Sequence, residues 1–232
     1  MPACSNPADA HHAARPRWLA ITTTSAVAKP DFRRNRPLQA MVLVYGLVWL
    51  WSVINPVLQG SIVLENLMTV VALLALIGTY RLFVFSNVSY LAILVFLVLH
   101  AAGGHYTYAG VPLGRWLGDA LGDQRNPYDR IVHFSFGLLC VYPLRELTLR
   151  LAGVTRPAAS LAAVMLVLAA SAVWEIFEWL LASNVDPQAA EAFLAIQGDP
   201  WDAQKDMMLA GLGACITVLC FVGLRRQSAI AS

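Results

Sequence analysis

A chain of 232 residues that is 58% hydrophobic and 13% charged, with a mean hydropathy of +0.61, carries about half the charge of an ordinary soluble domain. Too little polar surface is left to coat a water-soluble globule, and too much apolar content is present for a disordered chain. A net charge of only +2 excludes a basic nucleic-acid-binding domain. These quantities point to one all-α, polytopic membrane domain with short tails.

In chain order, Met1–Pro37 is rich in Ala, Pro, Ser and Thr and has no apolar core of signal-peptide length, so it is expected to be a disordered cytoplasmic tail. His11 and His12 within it are read as solvated. Six stretches are then apolar over about the 20 residues that a spanning helix needs: Leu38–Leu58, Ile62–Tyr80, Phe83–Gly103, Arg130–Leu149, Ala158–Leu181 and Asp206–Leu224. The transmembrane domain is set at residues 38–225, with a short cytoplasmic tail over 226–232. Cys140, Cys215 and Cys220 fall in apolar runs and Cys4 in the tail, at spacings that match neither a disulfide framework nor a zinc motif.

With the N-terminus in the cytoplasm, twelve of the 16 basic residues lie inside, and six spans return the C-terminus to the same side. Eleven of the 14 acids lie outside or at outer helix ends, although acids contribute little to topology, so their clustering needs another cause. Between spans, Leu113–Tyr128 carries mixed charge and is read as a solvated loop. Asp186-Pro187, a cap followed by proline, predicts a short helix on the outer surface that Gly198 stops, with Phe193, Leu194 and Ile196 as its apolar face.

Three outer helix ends carry polar pairs at helical spacing. Asp129 and His133 are four apart, Glu175 and Glu178 are three apart with Ser171 a turn deeper, and Asp202 and Asp206 are four apart, continued by Ala210 and Gly213. Ionisable groups in a bilayer face the bundle interior, so the three faces are expected to converge. Like-charged carboxylates brought together must be protonated, paired or metal-bound. Carboxylates with imidazoles suit a divalent ion such as zinc, manganese or iron. The candidate ligands are His100, His105, His133, Glu175, Glu178, Asp202 and Asp206, and the candidate catalytic residues are Asp129, Arg130, His133, Glu175, Glu178, Asp202 and Asp206. The Gly103-Gly104 pair is expected to end its helix and turn the chain back between the two histidines. Glu65 and Asn66 are read as caps of the second span, Lys205 as peripheral, and Trp174, Trp179, Tyr106 and Tyr108 as an interfacial belt.

The strings His100-Ala-Ala-Gly-Gly-His-Tyr-Thr-Tyr108, Arg125-Asn-Pro-Tyr-Asp-Arg-Ile-Val-His133, Trp174-Glu-Ile-Phe-Glu178 and Gln197-Gly-Asp-Pro-Trp-Asp-Ala-Gln-Lys-Asp-Met207 resemble the signature blocks of the YjdF-like bacterial inner-membrane proteins. The last three blocks are more loosely similar to the VanZ-like membrane proteins. The first resemblance implies a multi-pass inner-membrane protein whose matched polar residues matter to the family. The second hints at envelope or lipid-linked chemistry.

Three functions remain open at this point. One is a metal-dependent hydrolase of a lipid or lipid-linked substrate at the outer leaflet, with Arg130 holding an anionic headgroup. Another is a non-catalytic scaffold locked by a salt-bridge cluster. The third is a small-solute or proton-coupled transporter, although the predicted span centres lack Asp, Glu, Lys and Arg and no internal repeat stands out. Membrane lipids are the expected partners, and no nucleic acid is.

Overall fold

The computed structural model describes residues 31–59 and 62–230, so the expectations for Met1–Pro30, including Cys4, His11 and His12, fall outside the described residues. Eight α-helices follow in order: α1 (Arg36–Val53), α2 (Ile62–Thr79), α3 (Asn87–Tyr106), α4 (Pro112–Leu121), α5 (Tyr128–Ala152), α6 (Arg156–Ala182), α7 (Pro187–Leu194) and α8 (Asp202–Ile230). Short 3-10 turns cover Phe32–Arg34 and Tyr108–Gly110, and no strand occurs among the described residues.

Local chemistry sets most of the boundaries. The side chain of Asn35 accepts from Leu38 N ahead of α1, and that of Ser86 accepts from Ser89 N ahead of α3. Proline opens α4 and α7, where its missing N–H costs nothing. Gly122 and Gly153 close α4 and α5 at φ of +70° and +59°, a conformation that suits glycine.

Five helices are both long and apolar enough to cross a bilayer: α1, α2, α3, α6 and α8 as far as Val222. The protein is therefore a polytopic helical membrane protein. Helix α5, expected as another span, has 25 residues and so rises about 37 Å. It carries Asp129, Arg130, Arg145, Glu146 and Arg150, which lower its apolarity. Its surroundings accommodate those charges, because α5 packs against α3, α6 and, most extensively, α8.

The α5–α8 crossing is made by small residues. A β-carbon on Gly137 would run into the carbonyl of Ala210, and one on Gly213 into that of Phe134. Ala210 and Ala214 are fully buried at the same seam, beside Val141, Ala163 and Val167. The Thr217 hydroxyl donates to the carbonyl oxygen of Leu138 at 2.7 Å. Apolar surfaces gain little from meeting inside lipid, so backbones that approach this closely supply the packing that joins spanning helices. The small residues expected on the Asp202–Asp206 face thus form the seam itself.

The starts of α2, α5 and α8 and the ends of α1, α3 and α6 share one end of the bundle. Arg33, Arg34, Arg36, Arg81, Arg145, Arg150 and Arg156 belong to the opposite end. At that basic end one carboxylate ties α5 to the start of α3. Glu146 of α5 accepts from Ser86 N at 2.9 and 3.1 Å, from the Ser86 hydroxyl at 2.8 Å, from the Ser89 hydroxyl at 2.5 Å and from Arg150 Nη1 at 2.7 Å. Arg150 also donates to the carbonyl oxygen of Val84 at 2.6 Å and lies 4.1 Å from the Phe83 ring centroid.

Several expectations for the connections change. Helix α3 does not stop at Gly103-Gly104; it runs to Tyr106, and Thr107 at φ +61° makes the break. The two glycines instead flatten one face. A β-carbon on Gly103 would stand 2.6 Å from the Tyr108 ring, and one on Gly104 3.2 Å from Glu65 Cβ. The stretch read as a solvated loop contains α4, whose Gly114 and Gly118 pack on Asn126 and on the backbone of Arg125. The short helix predicted after Asp186 is α7, with Phe193 buried. It ends at Leu194, ahead of Gly198, where Ala195 at φ +48° breaks it.

Candidate metal centre

Asp129 and His133 lie in the first two turns of α5, Asp202 and Asp206 in the first two turns of α8, and Ser171, Glu175 and Glu178 near the end of α6. Asp206 is one turn before Ala210, and His133 is one turn before Gly137. The backbone contact at the seam therefore carries these two polar residues toward each other, one turn nearer the end of the bundle.

His133 Nε2 is 3.6 Å from Asp129 Oδ1 and 3.6 Å from Glu175 Oε1. Asp129, His133 and Asp206, all buried, each offer a ligand atom, and these atoms lie within 4.8 Å of one another. Glu175 Oε1, Asp206 Oδ1 and Ser171 Oγ are buried without a hydrogen-bond partner among the described residues. A separation of 3.6 Å is too long for a hydrogen bond. It is close to the ~3.0–3.5 Å that separates neighbouring ligands of one ion with bonds of ~2.0–2.2 Å. Asp129 and His133 of α5 and Asp206 of α8 thus bring their ligand atoms together, and Glu175 of α6 adjoins them at His133.

The other expected residues serve different contacts. Asp202 turns toward arginine: its Oδ1 is 2.5 Å from Arg125 Nη2 and 3.7 Å from Arg130 Nη2. Arg130 also pairs with Asp199, which Lys205 Nζ meets at 2.5 Å. The Lys205 hydrogen bond first, then the Trp201 backbone N–H and the charges of Lys205 and Arg130, hold the Asp199 carboxyl down at about 2. Both nitrogens of His100 are committed, Nδ1 to the Tyr108 hydroxyl at 2.5 Å and Nε2 to the Glu65 carbonyl oxygen at 2.9 Å. Because a carbonyl only accepts, Nε2 carries the proton and Tyr108 donates to Nδ1. His105 bonds the Ser52 carbonyl oxygen at 3.1 Å and stacks on Trp51, away from the cluster. Glu178, three residues after Glu175 on α6, lines a cavity with Asp129 and His133.

The model of the family described as "Predicted membrane protein (DUF2238)" matches residues 37–227. The chain belongs to this family. It is also 33% identical over 183 residues to the inner membrane protein YjdF of Escherichia coli (strain K12), covering 78% of this chain and 87% of that protein. No solved structure matches. Together with the five apolar helices, these likenesses identify a multi-pass integral protein of the inner membrane, of YjdF-like type. The matched span contains every residue of the DUF2238 chain named above as a ligand or its neighbour.

Beside the cluster lies a cavity of about 240 Å³. Met68, Ala72, Phe96, Leu97, Val132 and Phe136 give it an apolar wall, and His100, Tyr108, Asp129, His133, Ser171 and Glu178 a polar end. Tyr108 and Trp174, expected in an interfacial belt, both line it. Burial pushes the Tyr108 hydroxyl well above its ordinary titration range. Trp179 is exposed, as a belt residue would be.

Sequence reasoning missed Arg125, whose side chain is buried and donates to the carbonyl oxygens of Ile196 and Ala195 as well as to Asp202. It also missed the pairing beside it. The Gln197 amide takes both sides of the Asn126 backbone, accepting from N at 2.9 Å and donating to O at 3.0 Å. The available signal was the block Arg125-Asn126, which shares a string with Asp129 and His133. Glu65 and Asn66 do not cap α2 as expected: Asn66 bonds Trp49 and the Ile62 carbonyl oxygen, and the Glu65 side chain is buried.

Proposed function

We propose that this inner-membrane protein is a metal-dependent hydrolase of a lipid or lipid-linked substrate, with one divalent ion held by Asp129, His133, Glu175 and Asp206. The observation that carries this reading is the close group of Asp129, His133 and Asp206 with Glu175 beside His133, where Glu175 and Asp206 each keep a buried oxygen with no hydrogen-bond partner among the described residues. Buried polar groups are normally paired, so unpaired ones call for a ligand. Three carboxylates and an imidazole suit zinc, manganese or iron. A bound divalent ion would supply a water acidic enough to act as nucleophile near neutral pH.

The chain's own residues would do the rest. The apolar wall takes the hydrocarbon part of an amphiphile and leaves its polar group at Asp129 and Glu178. Glu178, at the polar end of the cavity, is positioned to move a proton. Arg125 and Arg130, neutralised by Asp199 and Asp202, offer a charged rim at which an anionic headgroup exchanges for a carboxylate. With the basic end in the cytoplasm, this rim faces the outer leaflet.

Metal analysis of the purified full-length protein tests the reading. About one divalent ion per chain is expected, lost in Asp206→Ala and His133→Ala but kept in Lys205→Ala. Protein that holds no metal and takes none up on titration overturns it. The scaffold reading would then stand, favoured by the closed pairing of Arg125, Arg130, Asp199 and Asp202.

A further inference from the structure

Glu65 lies outside the cluster. It falls in the first turn of α2, yet the residue is only 2% exposed, and neither carboxylate oxygen has a hydrogen-bond partner among the described residues. It shares a gap of about 10 Å³ with Trp49 and Ser52 of α1, Asn66 and Thr69 of α2, and His100 of α3. That volume admits about one water-sized occupant.

Four of the neighbouring donors are committed elsewhere. Trp49 Nε1 donates to Asn66 Oδ1 at 2.7 Å, Asn66 Nδ2 to the Ile62 carbonyl oxygen at 2.8 Å, the Ser52 hydroxyl to the Trp49 carbonyl oxygen at 2.8 Å, and His100 Nε2 to the Glu65 carbonyl oxygen. The titratable groups on the elements around Glu65 are Tyr45 of α1, His100 and His105 of α3, Tyr108 in the following turn and, across the cavity, Glu178 of α6. None brings a permanent positive charge.

A carboxylate buried in this way must be neutralised at contact distance. One carboxylate calls for one positive charge, the gap limits its size, and the surrounding Ser52, Thr69 and Glu65 oxygens are hard donors. We propose that the Glu65 gap is a monocation site, filled by a proton on the carboxyl or by a sodium ion. The two occupants share one chemistry, a small single positive charge inside a spanning helix pair. The site is independent of the divalent cluster, from which the His100–Tyr108 pair separates it.

The test uses the full-length protein in lipid nanodiscs. Thermal midpoints are followed against sodium chloride, with choline chloride holding ionic strength constant, and infrared spectra are recorded in H2O and D2O. If sodium fills the gap, the midpoint rises saturably with sodium and not with choline, Ser52→Ala raises the half-saturating concentration, and Glu65→Gln loses the response. If a proton fills it, sodium has no effect, and a protonated-carboxyl band that shifts in D2O disappears in Glu65→Gln. Glu65→Asp, which keeps the acid and moves its band, replaces Glu65→Gln if that variant does not accumulate. A wild-type protein with neither a sodium response nor a carboxyl band that depends on residue 65 overturns the proposal.

Discussion

The two ends of the bundle each gather carboxylates and treat them in opposite ways. At the basic end, Glu146 accepts from two serine hydroxyls, a backbone N–H and Arg150. At the other end, Glu175 and Asp206 keep a buried oxygen with no partner, while Asp202 and Asp199 beside them are held by arginine and lysine. The chain thus has the means to satisfy a carboxylate and uses them selectively. A carboxylate with every lone pair met is a structural joint. One left unmet, next to other acids and beside a cavity, is what the proposed metal site needs.

The widest break in this comparison comes from the seam both ends share. Gly137→Leu drives a side chain into the Ala210 carbonyl, where backbone and not a flexible side chain has to give way. The cost should exceed the about 1–3 kcal/mol usual for overpacking. Folded, monodisperse protein is expected to be lost on size-exclusion chromatography, and normal yield would mean that the crossing does not organise the fold. Next in size, Glu146→Ala leaves several donors unmet and should cost about 1.5–3 kcal/mol. Asp206→Asn removes a like charge from a crowded site, so metal-free protein should keep its stability within about 0.5 kcal/mol or gain some. Thermal melts in detergent compare the two, and equal losses would erase the distinction between joint and ligand.

Much of this contrast was legible in the sequence where helical period decides direction. Asp129 with His133, and Glu175 with Ser171, lie on stripes that the i, i+4 rule assigns to one face, and a bilayer turns such stripes inward. The period does not say which of two acids on a face meets which neighbour. Asp202 and Asp206 share a stripe, yet Asp202 sits higher and meets Arg125, whereas Asp206 sits next to the seam. Arg125 was legible only through its place in the Arg125–His133 block, because besides Asp202 its partners are backbone carbonyls exposed by a turn with positive φ at Ala195 and Gln197. Gly103-Gly104 misled for a related reason. Glycine marks either a turn or a close approach, and only the Tyr108 ring and Glu65 lying over that face show the second.

Arg125 sharpens the comparison from the paired side of the site. Arg125→Lys keeps the charge but gives up the planar fork that reaches Asp202, Ala195 and Ile196 together. A loss of about 1–2 kcal/mol is expected in thermal melts, with no change in any metal content, because Arg125 touches Asp202 and not the four proposed ligand residues. If metal is lost along with stability, the paired network and the unpaired cluster are one unit.

The smallest effect belongs to the rim. The folded Asp199 carboxyl titrates at about 2, below its ordinary value of about 3.9, chiefly because Lys205 donates to it. A depressed carboxyl contributes stability that is fully present above about pH 4 and is lost as pH falls toward 2. Asp199→Asn should therefore melt slightly lower than wild type at neutral pH and show a flatter acid limb between about pH 4 and 2. Raising the salt concentration should narrow that gap, because Lys205 and Arg130 are both partly exposed and their attraction is screened. Identical acid limbs in wild type and variant would mean that Asp199 contributes nothing at the rim, and that Asp202 alone holds Arg130 above the ligand residues.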